Sequence, residues 1–252
     1  MPIGPVPVIE RVPDARSARA LPLGHLSEFF DPFLLPFALD TLRVGGEVWD
    51  SRAGDAVDGL FLYLDSEGFG SIFTRDPAVA QAFSTFHPGR SIYSDFPFGS
   101  APEVYGVYEG DLASEPPGHR FRHAVRLALG PDREAVVRLM RDVHEVVDPR
   151  WFEPMVREDE VGFVVEGGNE LAGAGWVSVA SDHARLHSLT VRSRYRRTGV
   201  ATDLWHARAA WAAQAGARRL VTEISDLNSG SRALAEAQGM RRVGQIYRCV
   251  GP

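Results

Sequence analysis

Residues 192–201 have the types and spacing of an anion-binding loop. Four of the six residues 192–197 are arginines, Thr198 and Gly199 follow them, and an amphipathic segment comes next. The first N–H groups of a helix lack partners within the helix, and with the helix dipole they favour a phosphate. Gly199 lets a phosphate approach the backbone because no Cβ stands in the way, and Ala201 keeps a second approach open. The segment predicts a pyrophosphate site; the alternative is an ordinary strand-to-helix turn whose arginines extend into solvent.

Regular elements surround this loop in the second half of the chain. Alternating apolar residues and turn residues predict strands at 119–129, 161–166, 171–180, 184–191, 219–224 and 241–250. Helices are predicted from Gly130-Pro131-Asp132 onward, at 199–215 and at 229–238, with a connection or short helix at 148–155. This order predicts an α/β fold in which helices pack on a mixed sheet.

The first half of the chain predicts a second, smaller α/β domain. It opens with a proline-rich coil, followed by a broken helix or two short helices at 22–42. Strands are predicted at 46–50, 59–64, 70–74, 91–96 and 104–108, and a helix at 77–86 with Asp76 as its N-cap. A linker at 112–118 divides the chain into predicted domains at 1–115 and 116–252.

Composition and charge narrow the class of protein. The chain has 252 residues, of which 44% are hydrophobic and 24% charged, as in ordinary globular proteins. Residues 1–115 contain 17 acidic residues and 7 arginines, a net charge of −10. Residues 116–252 contain 16 acidic residues and 20 arginines, a net charge of +4. The positive half suits an anionic ligand, and the acidic half argues against nucleic acid.

The sequence also indicates a cytoplasmic protein without a membrane segment. No apolar run approaches the roughly 20 residues of a membrane helix, and the N-terminus lacks the features of a secretory signal. Cys249 is the single cysteine, so no disulfide forms within the chain. The absence of lysine excludes a phosphate-binding loop of the G-x-x-x-x-G-K-[ST] type. The stretch Gly173-Ala174-Gly175 lies in a predicted strand and lacks the last glycine of G-x-G-x-x-G, and no metal site is predicted.

Two segments in the right order resemble the GCN5-related N-acetyltransferase (GNAT) superfamily. A strand containing Leu189-Thr190-Val191 leads into Arg196-Arg197-Thr198-Gly199-Val200-Ala201, which is similar to the acetyl-CoA signature R-x-x-G-x-A of that family. Residues 228–240 are similar to its N-x-x-(S/A)-x-x-x-Y-x-x-x-G-F segment. The resemblance covers about 119–250. In the first half it implies at most a degenerate GNAT-like domain, which would cover the acceptor or support a homodimer.

The resemblance implies a set of acetyl-CoA contacts. The strand backbone at Leu189 and Val191 would hold the pantetheine arm, and N–H groups from Arg197 to Thr202 would hold the pyrophosphate. Asn228 and Ser231 would lie along the far side of the cofactor, although Asn228 is equally suited to be a helix N-cap. The complete predicted set is Leu189, Thr190, Val191, Arg196, Arg197, Thr198, Gly199, Val200, Ala201, Thr202, Asn228 and Ser231.

Proton transfer is the less certain part of the implied chemistry. Many GNAT proteins have a tyrosine where this chain has Ala235, so another group, Tyr247 or water, would have to protonate the leaving thiolate. His187 is the first candidate for general base, because its strand is similar to that of serotonin N-acetyltransferase. It is equally suited to be a structural histidine. Glu223 is the second candidate, or else an anchor for the loop at Asn228.

Two functional hypotheses follow. The first is an acetyl-CoA-dependent N-acetyltransferase acting on a primary amine, of a small molecule or a peptide, by direct attack in a ternary complex. A strand N–H near Leu189 would stabilise the charge that develops on the acyl oxygen. The second is a CoA-binding sensor or scaffold that has lost turnover, which Ala235 favours.

Overall fold

The structure is a computed structural model that describes residues 8–65, 68–99, 102–112, 118–144 and 160–252. The chain forms two compact units, one of Met1–Gly106 with Gly244–Pro252 and one of Val107–Val243. This division differs from the predicted domains, because the change of unit comes nine residues before residue 116 and the last strand returns to the first unit. The predicted helix at 148–155 and most of the predicted linker lie outside the described residues.

The helices and strands of the described residues are given in chain order, with short 3-10 turns at Asp31–Phe33, Gly130–Asp132 and Ser193–Tyr195. In the first half of the chain they are β1 (Val8–Arg11), α1 (Ala15–Arg19), α2 (Leu34–Arg43), β2 (Glu47–Ala53), β3 (Ala56–Leu64), β4 (Phe69–Thr74), α3 (Pro77–Ser84), β5 (Ser91–Ser94) and β6 (Glu103–Asp111). In the second half they are β7 (Val125–Leu127), α4 (Arg133–His144), β8 (Glu160–Glu166), β9 (Leu171–Ala180), β10 (His183–Val191), α5 (Val200–Gln214), β11 (Arg219–Ser225), α6 (Ser229–Ala237) and β12 (Arg241–Val250).

The first unit is built on strands in the order β1-β2-β3-β4-β5-β12. The pairs are antiparallel except β4 with β5, which are parallel and joined through α3. The helix α3 begins where the sequence predicts, because the Asp76 side chain accepts a hydrogen bond from the Ala78 N–H. Aromatic side chains such as Phe33, Phe61 and Phe83 are buried in this unit, as expected for a core.

Two predictions for the N-terminal segment were wrong. The proline-rich coil contains β1, which pairs with β2, and α1, whose N-cap Asp14 accepts a hydrogen bond from the Ser17 N–H. Pro36 does not interrupt the helix at 22–42, because it lies in the first turn of α2, where a backbone N–H has no partner within the helix. Local caps and the partner strand therefore outweigh the proline signals.

The second unit has strands in the order β6-β11-β10-β9-β8-β7. The predicted hairpin of β8 and β9 around Gly167-Gly168-Asn169 is confirmed, and β10 runs parallel to β11. Helix α4 buries Val136, Leu139 and Met140 against Trp176 of β9, in one of the clusters that form the core. Helix α5 packs in a different cluster through Val200 and Leu204.

Two glycines of β9 bring α5 close to the sheet. A Cβ at Gly173 would lie 2.8 Å from Cγ1 of Val200, and one at Gly175 would lie 3.2 Å from Cζ of Arg208. Any side chain at either position would push the helix outward. The glycines that resemble part of a nucleotide-binding motif in sequence therefore set the depth of α5 on β9.

The predicted strand at 119–129 was wrong over most of its length, since only Val125–Leu127 pairs, with β8. Residues 118–124 instead lie against the start of α5, where His119 and His123 hydrogen-bond to Asp203. Contacts with a residue 80 and 84 positions away in sequence override the local strand pattern. None of the described helices is long and apolar enough to cross a membrane.

We expect the stability of the first unit to depend on pH because of Asp95. Burial, together with the negative charge of Asp31, raises the pKa of the Asp95 carboxyl to about 7. The folded state then keeps a proton that the unfolded chain releases near pH 4, so this contribution to stability is complete below about pH 4 and is lost as the pH rises to about 7. The Asp95→Asn variant should gain melting temperature over the wild type as the pH increases from 5 to 8. Calorimetry checks this, with Asp55→Asn at an exposed site as control; parallel curves for all three proteins would contradict it.

Candidate active site

The strand β10 breaks its regular pairing where the cofactor is predicted to lie. Its register with β9 shifts between His187 and Thr190, and Ser188 has a φ of 53°, so the strand carries a bulge. The parallel register with β11 runs from His183–Arg219 to Arg185–Val221, and no pairing continues beyond it in the described part of the chain. The two strands therefore separate and leave the backbone around Leu189 open toward a ligand.

The loop after β10 presents the start of α5 without a side-chain cap. Gly199 is the N-cap, with a φ of 105°, and no side chain hydrogen-bonds to the first N–H groups. Arg197 also has a positive φ, of 65°. The loop is held in place because Thr198 Oγ1 donates to the Tyr195 carbonyl at 2.8 Å and the Tyr195 hydroxyl donates to the Gly167 carbonyl at 2.5 Å. The helix start therefore has unpaired donors directed at an anion.

A cleft of about 820 Å³ joins the predicted cofactor residues. Its lining includes ten of the twelve: Leu189, Thr190, Val191, Arg196, Arg197, Gly199, Ala201, Thr202, Asn228 and Ser231. The other two do not line it: Val200 is buried against the sheet and Thr198 holds the loop. The cleft thus collects residues from the open strand, the basic loop and the starts of two helices.

Asn228 caps a helix and also lies in the lining of the cleft. Its side-chain oxygen accepts a hydrogen bond from the Ser231 N–H at 3.1 Å, so Asn228 is the N-cap of α6. Both residues also line the cleft. The capping bond fixes the rotamer of Asn228 at the rim.

His187 lies beside a carboxylate that sequence reasoning missed. Its Nε2 is 3.7 Å from Oε1 of Glu160, its Nδ1 is 3.1 Å from Oγ of Ser188, and both the histidine and the glutamate are largely buried. Glu160 comes from β8, two strands away, and its only sequence signal is a charged residue at the start of an apolar strand. A partly buried imidazole beside a carboxylate is the arrangement of a general base and its orienting group.

The other two predicted proton-transfer residues have different surroundings. Glu223 accepts two hydrogen bonds from the Arg185 guanidinium, at 2.7 and 2.6 Å, so an arginine neutralises its charge. Tyr247 belongs to the first unit, where β12 pairs with β5, and its hydroxyl lies 2.6 Å from Nε2 of Gln245. Neither residue lines the cleft. Ala235 is 3% exposed and packs in the core of the second unit.

Arg208 is a buried charge behind the bulge. Its guanidinium donates to the carbonyls of Trp176 and Leu204 at 3.2 and 3.1 Å and lies 3.4 Å from the carbonyl of His187. Burial lowers the pKa of Arg208 to about 9, so the side chain stays charged at neutral pH. These bonds tie the end of β9 and the start of the bulge to α5.

Removing this guanidinium should destabilise the protein. Arg208→Ala leaves buried carbonyls without a donor and opens a cavity, so the free energy of unfolding is expected to fall by about 3 kcal/mol. Urea denaturation measures the loss. Arg219→Ala, at an exposed position of β11, should change stability by less than about 0.5 kcal/mol. Equal stability of the two variants would show that Arg208 does not hold these strands.

Sequence reasoning also missed a cluster at the mouth of the cleft. Asp203 of α5 is 1% exposed, and its carboxylate contacts His119 and His123 at 2.7 and 2.8 Å. His206 stacks on His119 with ring centroids 3.8 Å apart. Within the described residues, no group of three or more His, Cys, Asp or Glu side chains is placed to hold a metal ion. The cluster therefore positions residues 118–124. Its signal in the sequence is two histidines four residues apart, His119 and His123, within a segment that the sequence predicts to be a strand.

Comparisons with known proteins concern the family and the fold. Residues 129–240 match the model of the Acetyltransferase (GNAT) family. A tandem GNAT protein from the clavulanic acid biosynthesis pathway, solved without AcCoA, is 14% identical, with a TM-score of 0.63 over 97% of this chain and 99% of that one. A GCN5-related N-acetyltransferase from Sphaerobacter thermophilus is 13% identical, with a TM-score of 0.63 over 98% of this chain and 96% of that one. A Drosophila protein is 13% identical, with a TM-score of 0.66 over 97% of this chain and 99% of that one. No curated protein matches the chain.

These likenesses extend beyond the second unit. The structural matches span nearly the whole chain, so the fold of tandem GNAT proteins is shared by both halves. The conserved chemistry of the family is acyl transfer from acyl-CoA, and the residues that match its signature lie in the cleft. Residues 129–240 therefore match the model of the Acetyltransferase (GNAT) family, within a chain whose fold is similar to that of a tandem GNAT protein.

Proposed function

We propose that the protein is an acetyl-CoA-dependent N-acetyltransferase that acts on a primary amine by direct attack in a ternary complex. The cleft between the open edge of β10 and the uncapped start of α5 carries this proposal. Its position on the family signature at Arg196–Ala201 supports acetyl-CoA as the donor.

The residues of the cleft fit the phosphates of the donor. The start of α5 lines the cleft at Gly199, Ala201 and Thr202, and its first N–H groups have no side-chain cap. A Cβ at Gly199 would lie 2.9 Å from Cδ of Arg122, which also lines the cleft. Arg196 and Arg197 add positive charge at the rim. The backbone of Leu189 and Val191 offers strand-like hydrogen bonds to an amide-containing arm such as pantetheine.

Each catalytic role falls to a residue near the bulge. Acetyl-CoA supplies the thioester whose acyl carbon accepts the amine. An amine nitrogen forms the new C–N bond, the C–S bond breaks, and the amine proton passes to His187 directly or through one water. CoA leaves as its thiolate, which takes a proton from water. Glu160, whose Oε1 lies 3.7 Å from Nε2, orients the imidazole. The backbone N–H near Leu189, in the bulge, stabilises negative charge on the acyl oxygen.

The acceptor is proposed to be cationic in its resting form. Residues 1–115 have a balance of −10, which attracts an ammonium group. On this proposal the enzyme works in the cytoplasm, and the buried free thiol of Cys249 suits a reducing compartment.

The test is release of free thiol from acetyl-CoA with a panel of small amines, amino acids and peptides. Thiol release that depends on one class of amine, together with acetylated product by mass spectrometry, is the expected result. Tight acetyl-CoA binding by calorimetry without turnover on any class of amine contradicts the transferase proposal.

That contrary outcome is what the second candidate function predicts. Ala235 replaces the usual tyrosine of the family, and its methyl group is buried in the core, so α6 presents no hydroxyl from this position. A CoA-binding sensor or scaffold needs the cleft and no proton donor. Binding of CoA and acetyl-CoA with a change in unfolding temperature but without thiol release would establish this role.

A further inference from the structure

Residues 118–124 are fastened to the start of α5 by one buried carboxylate. Asp203 lies within hydrogen-bond distance of His119 Nε2 and His123 Nδ1, at 2.7 and 2.8 Å. It also accepts from the backbone N–H groups of Arg122 and His123, at 3.2 and 2.9 Å. Four contacts on a carboxylate that is 1% exposed fix the path of this segment next to the anion-binding helix start.

The carboxylate is ionised although it lies near the predicted anion site. Burial alone would raise the pKa of Asp203, but the hydrogen bonds from His119 and His123 bring it below its usual range. A negative charge in the first turn is favourable to the helix dipole but would repel a phosphate unless it is neutralised. The imidazole and backbone donors shield it, so Asp203 acts here as an anchor for the segment.

The anchored segment places Arg122 over the phosphate-binding glycine. A Cβ at Gly199 would lie 2.9 Å from Cδ, 3.6 Å from Nε and 3.7 Å from Nη1 of Arg122. Arg122 lines the same cleft as Arg196 and Arg197. Among the described residues its guanidinium makes no hydrogen bond or ion pair, while its backbone is held by Asp203. A pre-positioned guanidinium without a protein partner, at a site built for an anion, is a phosphate-binding group.

We propose that Arg122 binds a phosphate group of acyl-CoA and that Asp203 is the positioning residue that holds it there. This inference rests on the proposed function of the cleft. Arg122 precedes residues 129–240, so the family signature does not specify it. On this proposal, the segment 118–124, which lies outside the family signature, contributes the cation of Arg122 to the donor site.

Calorimetry of CoA binding to the full chain tests the proposal. Arg122→Ala should raise the Kd for CoA about tenfold, the loss of one charge-assisted hydrogen-bonding group. Arg120→Ala, two residues away, exposed and absent from the cleft, should leave the Kd unchanged. Equal Kd values for wild type and Arg122→Ala, with both CoA and 3′-dephospho-CoA, would overturn the proposal.

The second ligand identifies the phosphate. If Arg122→Ala weakens CoA and 3′-dephospho-CoA equally, Arg122 binds the pyrophosphate; if it weakens only CoA, Arg122 binds the 3′-phosphate. Either result supports the proposal. A wild-type protein that binds neither ligand would overturn the proposed function and this inference together, whereas tight wild-type binding with no effect of Arg122→Ala would overturn the inference alone.

The role of Asp203 has its own measurement. Asp203→Asn weakens the anchor, so it should raise the Kd for CoA, and the Arg122→Ala, Asp203→Asn double variant should bind no more weakly than Arg122→Ala alone. Fully additive losses would show that Asp203 does not act through Arg122. Thermal unfolding of each variant identifies one that does not fold; for that case Asp203→Glu, which keeps the charge but displaces it, gives the same comparison.

Discussion

Replacing Gly199 with alanine is expected to weaken acetyl-CoA binding by about 100-fold or more. The φ of 105° at Gly199 costs a residue with a Cβ about 1–2 kcal/mol. The added carbon would lie 2.9 Å from Cδ of Arg122 and would obstruct a phosphate at the start of α5, where a charge-assisted hydrogen bond is worth about 1.5–3 kcal/mol. The loop of the free variant can relax from this φ and must regain it when the ligand binds, so both effects enter the binding free energy. Together they correspond to about two powers of ten in Kd, which calorimetry measures directly.

Gly216 provides the matched control at the other end of the same helix. Its φ is 92°, and a Cβ there would meet nothing within 4 Å. Gly216→Ala therefore carries similar conformational strain without touching the cleft. It should lower the melting temperature and leave the Kd for acetyl-CoA within about twofold of wild type. If both alanine variants bind acetyl-CoA equally well, the start of α5 is not the phosphate site.

Replacing His187 with alanine should lower kcat by about 100- to 1000-fold, the usual contribution of a positioned general base. His187 does not line the cleft, so the Kd for acetyl-CoA should stay unchanged. The pH dependence of kcat/KM should also change, because the titrating base is gone. Steady-state rates over a pH series, with the amine identified by the thiol-release assay, give both quantities.

Two further variants test this interpretation, one as a control and one at the orienting carboxylate. His183→Ala removes a histidine from the same strand, one that pairs with Asp182, and should leave kcat close to wild type. Glu160→Gln keeps the size of the orienting group but removes its charge, so it should lower kcat by less than His187→Ala. An unchanged rate and pH profile in His187→Ala would remove this residue from the mechanism and leave Glu223, paired with Arg185, as the next candidate.

Much of the fold follows from patterns that act over a few residues. The N-cap at Asp76, the hairpin at Gly167–Asn169 and the helix that follows Gly199 depend on local caps, turns and periodicity, and each lies where the sequence predicts. The cleft at the proposed donor site follows from the sequence for the same reason, because a strand, a basic loop and a helix start are consecutive in the chain. The N-terminal segment shows where local patterns fail. The sequence predicts a coil there, but β1 forms because it pairs with β2.

The surroundings of the proposed proton-transfer residues were decided by tertiary structure. Glu160 meets His187 across β9, and Arg185 neutralises Glu223 across two strands, so neither pairing has a signal in local spacing. The return of the last strand to the first unit places Tyr247 there, which sequence order alone does not indicate.

The sequence by itself predicted the resemblance to the GNAT family and the proposed donor-binding loop, because consecutive residues build that loop. Only the tertiary structure decided which side chains surround it. Asp203 draws residues 118–124 away from the predicted strand and sets Arg122 against Gly199. The physical reason is that a buried carboxylate must find hydrogen-bond donors wherever the fold supplies them, and here they come from about 80 residues earlier in the chain.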